Sequence, residues 1–145
     1  MNRTLTTAPA TSAELAPQAR LLRNILYIDS SSGAISFFLC TLGGTWLSAL
    51  TGIPASTLMI VALVVLIPYT IGLAYGASKP HLVQRTGQIA LVLNSGWVLM
   101  SFAVPGLNLL PLTQIGQIVM LVQALVVIDF IIIQFIGLRR LATRA

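Results

Sequence analysis

Four apolar stretches, each long enough to cross a lipid bilayer, dominate this sequence of 145 residues. They cover about 25–50, 55–77, 88–104 and 114–138. A membrane helix needs about 20 mostly apolar residues, because the hydrocarbon core is about 30 Å thick. Within that core only helices and closed barrels satisfy their own backbone hydrogen bonds. The chain therefore predicts an all-α fold, a four-helix transmembrane bundle.

The composition excludes a soluble domain and disfavours nucleic acid as a partner. Hydrophobic residues make up 57% of the chain and charged residues only 8%, whereas a soluble domain carries about 25% charged residues. The net charge of +5 does not indicate a nucleic-acid-binding surface, which would need basic residues clustered on one soluble face. The expected partner is the lipid bilayer, and the expected location is the cell inner membrane.

All eight basic residues fall on one side of the predicted four-span arrangement. They precede the first span, separate the second from the third, or follow the fourth: Arg3, Arg20, Arg23, Lys79, Arg85, Arg139, Arg140 and Arg144. The other two connections, "TGIP" and "PGLNLLPL", carry no charge. Because basic loops stay in the cytoplasm, both termini are predicted to be cytoplasmic. Residues 1–20, rich in Thr, Ala and Pro, are interpreted as a flexible cytoplasmic tail, and 21–145 as the membrane domain.

The two halves of the chain resemble each other weakly. "ALVVLIPYTIGL" (62–73) resembles "ALVVIDFIIIQFIGL" (124–138), and "YIDSSSGAISFF" (27–38) resembles "LVLNSGWVLMSF" (91–102). A duplication would make the bundle two tandem helical hairpins of the same orientation. Asp29 and Asn94 would then occupy related places.

A few polar side chains lie within the spans and form the candidate ligand- or ion-binding set. They are Asp29, Tyr69, Asn94 and Asp129. Asp129 lies about 15 Å along its helix from Arg139, close to the middle of the bilayer. A charged carboxylate there costs at least ~2.5–3.5 kcal/mol. Either Asp129 is protonated and donates to Asn94 or Tyr69 as a structural contact, or it binds a proton, a cation or a ligand.

The fourth span carries polar groups on two faces. Gln123 and Gln134 are three helical turns apart and share a face, whereas Asp129 lies about 120° away from Gln123. One face can line the bundle, but lipid cannot satisfy polar groups on the other. A homo-oligomer, or other membrane subunits, would supply the second partner.

Small residues recur at helical spacing and indicate close helix packing. Gly72 and Gly76 form the familiar Gly-x-x-x-Gly pattern, and Gly33 and Gly43 are the candidates on the first span. The third span has a stripe of its own: Gly87, Ala90, Asn94, Trp97 and Ser101.

No arrangement typical of an enzyme, a cofactor or a metal site is recognisable. Cys40 is the only cysteine and His81 the only histidine, so one chain offers neither a thiol cluster nor paired histidine ligands. Asp29 is followed by three serines, but no general base accompanies them. We therefore expect no catalysis, no cofactor and no metal.

The apolar part resembles small four-span membrane proteins of bacteria to which no activity is assigned. The residues that carry this resemblance are "LRNILYIDSSSGA", "NSGWVL" and "QALVVIDF". Small multidrug exporters share the four-span layout and use a membrane-embedded Glu in the first span. In this chain Glu14 lies in the tail, and the first span carries Asp29.

Two functions fit these observations. The first is a packing or assembly subunit of a homo-oligomer or of a larger membrane complex. The alternative is a small oligomeric transporter, channel or ligand-binding protein that uses membrane-embedded Asp129.

Overall fold

The computed structural model describes residues 16–142, all of which lie in helices or in short connections between them. The elements in chain order are α1 (Ala16–Leu42), α2 (Gly44–Thr51), α3 (Ala55–Ile60), a π-helical segment (Val61–Leu66), α4 (Ile67–Ser78), α5 (Val83–Gly106) and α6 (Gln114–Ala142). The all-α expectation is confirmed for this part of the chain.

Four continuous helical stretches are long and apolar enough to cross a membrane, which confirms the multi-pass architecture. They are Ala19–Leu42, Ala55–Ser78, Val83–Gly106 and Gln114–Ala142. Their outward faces are apolar: the side chains of Leu99 and Val92, for example, are 70% and 69% exposed. Contact of such apolar surfaces with lipid is favourable, whereas their exposure to water is unfavourable.

The first span differs from its predicted bounds at both ends. Helix α1 already begins at Ala16, so the end of the predicted tail is helical, while 1–15 lie outside the described residues. The predicted continuous span over 25–50 is interrupted at Gly43, between α1 and α2. A Cβ at Gly43 would meet the Leu39 carbonyl of its own helix at 2.9 Å. The predicted role of Gly43 in helix–helix packing is therefore wrong, and it marks a break in the backbone.

The second span contains an irregular stretch that its hydrophobic pattern did not predict. The π-helical segment runs directly into α4, where Pro68 occupies the first turn. Proline has no N–H and its ring clashes with the carbonyl four residues earlier. The wider π turns before Pro68 move that carbonyl out of the usual hydrogen-bonding register and so relieve the clash. A single proline therefore accounts for the irregularity.

The helices pack as two hairpins around a core at one end. Helix α1 packs mainly on α4, and α5 mainly on α6, as the tandem-hairpin interpretation expects. The buried core residues are Leu22, Ile25, Leu26, Leu73, Ala77, Val83 and Ala90. At the opposite end the two uncharged connections are joined, because Thr113 N–H donates to the Thr51 carbonyl at 3.0 Å and Thr113 Oγ1 donates to the Leu50 carbonyl at 2.6 Å.

The glycines differ in what they contact. A Cβ at Gly33 would lie 2.6 Å from Thr70 Oγ1 of α4, and one at Gly76 would collide with Thr86 of α5. Close packing at these two positions is confirmed. Gly72 is exposed, and a Cβ there would meet nothing within 4 Å. The predicted packing role of Gly72 is wrong, because the inward face of α4 runs through Leu73, Gly76 and Ala77.

The described basic residues lie at the bundle end where α1 begins, α4 meets α5, and α6 ends; we call this the basic end. They are Arg20, Arg23, Lys79, Arg85, Arg139 and Arg140. The cytoplasmic location of the basic end is a prediction of the positive-inside rule. Reporter fusions after Ala145 or within 79–85 should read cytoplasmic, and fusions near Gly52 or Asn108 should read on the far side. A cytoplasmic signal at Gly52 would contradict the orientation.

Candidate ligand-binding site

One polar side chain from each of the four spans meets inside the bundle. We call this set, Asp29, Tyr69, Asn94 and Gln134, the polar cluster. Asp29 Oδ2 accepts from Tyr69 OH, Asn94 Nδ2 and Gln134 Nε2, each at 2.8 Å. Tyr69 OH also lies 2.7 Å from Asn94 Oδ1, and Asn94 Nδ2 lies 3.4 Å from Gln134 Oε1. Lipid offers no such partners, so the cluster links all four spans.

The four residues of the polar cluster form two pairs with the same separation along the sequence. Asp29 and Asn94 are separated by 65 residues, and so are Tyr69 and Gln134. The predicted correspondence of Asp29 with Asn94 therefore extends to a second pair on the second and fourth spans. This common offset favours the interpretation of the chain as two related hairpins.

The two carboxylate oxygens of Asp29 have different surroundings. All three donors from the protein converge on Oδ2. No described residue donates to Oδ1. This oxygen is nevertheless not a buried atom without a partner, so it retains accessible surface. Since Asp29 lines the cavity described next, Oδ1 is the acceptor that the bundle leaves accessible.

The hydrogen bonds of the polar cluster accommodate more than one position of the Tyr69 proton. Tyr69 OH has one proton and lies within hydrogen-bond distance of two acceptors, Asp29 Oδ2 and Asn94 Oδ1. The phenol proton can therefore lie toward either oxygen while the heavy atoms stay in place.

A cavity of about 410 Å³ lies beside the polar cluster and extends toward the uncharged end. Its polar lining comprises Asp29, Ser32, Ser36, Tyr69, Asn94 and Gln123. Its apolar and aromatic lining includes Val64, Val65, Leu93, Trp97, Val127 and Phe130. A volume of this size, with few polar groups among apolar ones, is typical of sites for small molecules.

The cavity has an opening on the lipid side of the bundle. No Cα atom of the π-helical segment lies within 8 Å of a Cα atom in α5 or α6. The second and third spans therefore separate on the side of the polar cluster that faces the uncharged end. Val64, Val65 and Leu93, which line the cavity, are also exposed. Between the polar cluster and the basic end, the packed core around Leu26 and Leu73 closes the bundle. A molecule would therefore enter sideways from the lipid.

Asp129 is not part of this site. Its side chain is exposed, and no hydrogen bond or ion pair joins it to another described residue. The expected contact of Asp129 with Asn94 or Tyr69 is wrong, because Asp29 occupies that position. The depth estimate from helix rise did not reveal this, since it gives distance along the axis and not the direction in which a side chain points.

Gln134 is the cluster residue that the candidate set lacked. Its side chain is fully buried, and its donation to Asp29 attaches α6 to the other three spans. The sequence did contain a signal, namely the shared face of Gln123 and Gln134. Both residues do face inward, Gln123 into the cavity and Gln134 into the cluster. The expected inward stripe of α5 is also present, since Gly87, Asn94 and Ser101 are buried.

Comparison with known proteins does not extend these observations, since no family model, curated protein or solved structure matches the chain. The fold and the site define the class by themselves. This is a multi-pass four-helix membrane protein with a buried carboxylate at the floor of a laterally open cavity.

Proposed function

We propose that this protein binds a small organic cation with an apolar body inside the bilayer. The observation that carries the proposal is the position of Asp29, whose Oδ2 is held by three donors from three other helices while Oδ1 remains accessible beside the cavity. An acceptor that is held in place, unpaired and surrounded by apolar walls is suited to a positively charged or N–H-bearing group. This is the ligand-binding role that the sequence suggested for Asp129, now assigned to Asp29.

The cavity walls support an aromatic or branched apolar body on the ligand. Tyr69, Trp97 and Phe130 line the cavity, and aromatic faces attract cations as well as apolar groups. The lateral opening supports entry from the lipid phase, where a molecule with an apolar body accumulates. A hydrated inorganic ion would have to leave its water shell in the hydrocarbon region to enter this way, which is unfavourable.

A purely structural role accounts for part of the site only. Three hydrogen bonds on Oδ2 would be enough to join the four spans. Such a role does not require an accessible second oxygen, nor a cavity of about 410 Å³ directly beside it. Close packing is the norm in protein interiors, so the combination of cavity and unpaired acceptor favours ligand binding.

The second candidate function is that of an assembly subunit in a homo-oligomer or larger membrane complex. It is favoured by a different observation, the exposed carboxyl group of Asp129 on α6. The two functions are compatible, because they use different faces of the molecule. We propose the bacterial inner membrane as its location, in keeping with the four-span layout and the basic residues at one end, and we propose no catalytic step for it.

The substitution Asp29→Asn tests the proposed site. With its amide oxygen at the position of Oδ2, asparagine keeps the three bonds that join the spans and presents an NH₂ group to the cavity. Folding should be retained, whereas binding of phenyltrimethylammonium should weaken by at least about tenfold. The fluorescence of Trp97 in the cavity, measured in a Trp46→Phe background in lipid nanodiscs, reports binding.

Two controls make the result specific. Asp129→Asn makes the same chemical change outside the cavity and should leave the affinity unchanged. The neutral isostere tert-butylbenzene should bind the unaltered protein more weakly than the cation does. Its affinity should be the same for Asp29→Asn as for the unaltered protein. Equal affinities for the cation in the unaltered protein and in Asp29→Asn would overturn the proposal, as would the absence of binding to the unaltered protein.

A further inference from the structure

We propose that a second copy of this chain docks against α6, with the two Asp129 carboxyl groups meeting at the centre of the interface. Asp129 points directly away from its own bundle. Ala124 and Gln134, five residues before and after it, are both buried, and each lies about 140° from Asp129 in opposite senses around the helix. No internal rearrangement short of rotating α6 would give Asp129 a partner in its own protomer.

Asp129 is the only polar member of a regular row along the outer face of α6. The row comprises Ile115, Ile118, Val122, Leu125, Asp129, Ile132 and Ile136. We call it the α6 seam. Its members are spaced alternately three and four residues apart, and all are exposed. This is the spacing with which two helices pack side by side along their whole length. The seam therefore has the geometry of a helix-pairing face with one carboxyl group in the middle.

The chemistry of Asp129 identifies the partner as an identical chain. Copies of a membrane protein share one orientation, so a two-fold axis along the membrane normal places Asp129 of both copies at the same depth. A carboxylic acid carries both a donor and an acceptor, so two acids, or one acid and one carboxylate, can bond to each other. One polar residue within an apolar seam also specifies the register, because any shift would leave both carboxyl groups in hydrocarbon.

The residues on either side of Asp129 are compatible with this contact. Leu125, Val126, Ile132 and Ile136 are all between 40% and 60% exposed, so apolar side chains surround the carboxyl group on every side. No basic residue of the described chain lies at this depth, because the nearest on α6 is Arg139, about 15 Å along the axis. Lipid contact would leave the carboxyl group unsatisfied, whereas a second copy satisfies it.

This inference rests on the second candidate function, assembly of the chain, and does not depend on the ligand proposal. The cavity opens between the π-helical segment and α5, and the α6 seam lies on the side of α6 that faces away from the bundle. Loss of cation binding with intact pairing would contradict only the ligand-binding function. Loss of pairing with intact cation binding would contradict only the docking surface.

Cysteine cross-linking in native membranes tests the contact. In a Cys40→Ala background, Leu125→Cys should form a disulfide-linked dimer on mild oxidation, because the seam residues of the two copies face each other. Val92→Cys is the matched control, since Val92 is similarly exposed on α5 and lies outside the seam. Equal cross-linking at the two positions would overturn the proposal. A disulfide from Leu125→Cys to a different protein would overturn the assignment of the partner.

Substitutions of Asp129 test the role of its carboxyl group. Asp129→Asn should retain pairing, because two amides also bond to each other, and Asp129→Leu should weaken it roughly 3- to 30-fold. Asp129→Lys should abolish self-pairing through like-charge repulsion, and co-expression with the unaltered chain should restore a mixed dimer. Single-molecule photobleaching in vesicles counts the copies. Undiminished self-pairing of Asp129→Lys, or its failure to pair with the unaltered chain, would contradict an Asp129–Asp129 contact.

Discussion

Replacement of Asp29 by leucine is expected to destabilise the bundle by about 3 kcal/mol or more. Leucine removes the acceptor shared by Tyr69, Asn94 and Gln134. Tyr69 can still donate to Asn94 Oδ1, but the amide groups of Asn94 and Gln134 lose their 2.8 Å acceptor, and each buried donor left without a partner costs about 1–3 kcal/mol. The three donors come from three different helices, so their loss should also loosen the packing of the spans. Thermal and denaturant unfolding in detergent, followed by circular dichroism, measures the effect.

The matched control for this prediction is Asp129→Leu under conditions in which the protein is monomeric. Asp129 is exposed and has no hydrogen-bond partner among the described residues. Its replacement by leucine should therefore leave the monomer as stable as before, or slightly more stable in an apolar environment. The two aspartates should thus differ sharply in the same assay. A melting temperature of Asp29→Leu equal to that of the unaltered protein would show that the polar cluster does not hold the spans together.

The second large effect is expected at Gly76, where the chain allows a comparison one helical turn away. A side chain at Gly76 would collide with Thr86 of α5, whose position is set by the short connection between α4 and α5. Gly76→Leu should destabilise the bundle by about 1–3 kcal/mol or more, because overpacking forces the helices apart. Gly76→Ala should have a smaller effect in the same direction.

Gly72→Leu serves as the control for Gly76→Leu. Gly72 is exposed, and nothing lies within 4 Å of a Cβ built there. The new side chain would extend into lipid, and leucine also has the higher helix propensity. Little change, or a small gain, is therefore expected from unfolding measurements on this variant. If both leucine variants lost the same stability, the assignment of the inward face of α4 would be wrong.

Several features of the site could be predicted because they follow from one-dimensional patterns. The 3.6-residue period placed Gly87, Asn94 and Ser101 on one face of the third span, and this face is buried. The candidate set contained three of the four members of the polar cluster, Asp29, Tyr69 and Asn94. The spacing of Gln123 and Gln134 also placed both residues on one face of the fourth span, although it did not show that this face points inward, and neither residue was assigned to a site.

The error over Asp129 has a clear physical origin. Helix rise gives the depth of a residue in the bilayer, and on that basis Asp129 was placed close to the middle of the bilayer. Whether a side chain meets the cluster depends on the rotation of its helix about its own axis. That rotation is decided by packing, here by the burial of Ala124, Gln134 and Gly137 on the inner face of α6. Gly72 illustrates the same point, since its Gly-x-x-x-Gly spacing with Gly76 did not make both residues face a neighbour.

The sequence by itself determined the class of protein, the number of spans and the collection of the charges at one end. These properties depend on the length and composition of segments, because the thickness and polarity of the bilayer act on each span separately. Only the tertiary structure decided which aspartate is buried, that three helices donate to a single oxygen of it, and that a cavity opens beside the other. Those features depend on the rotation and separation of helices that contact one another across the bundle. They arise from side-chain packing between segments as much as 105 residues apart, which no local pattern in the chain encodes.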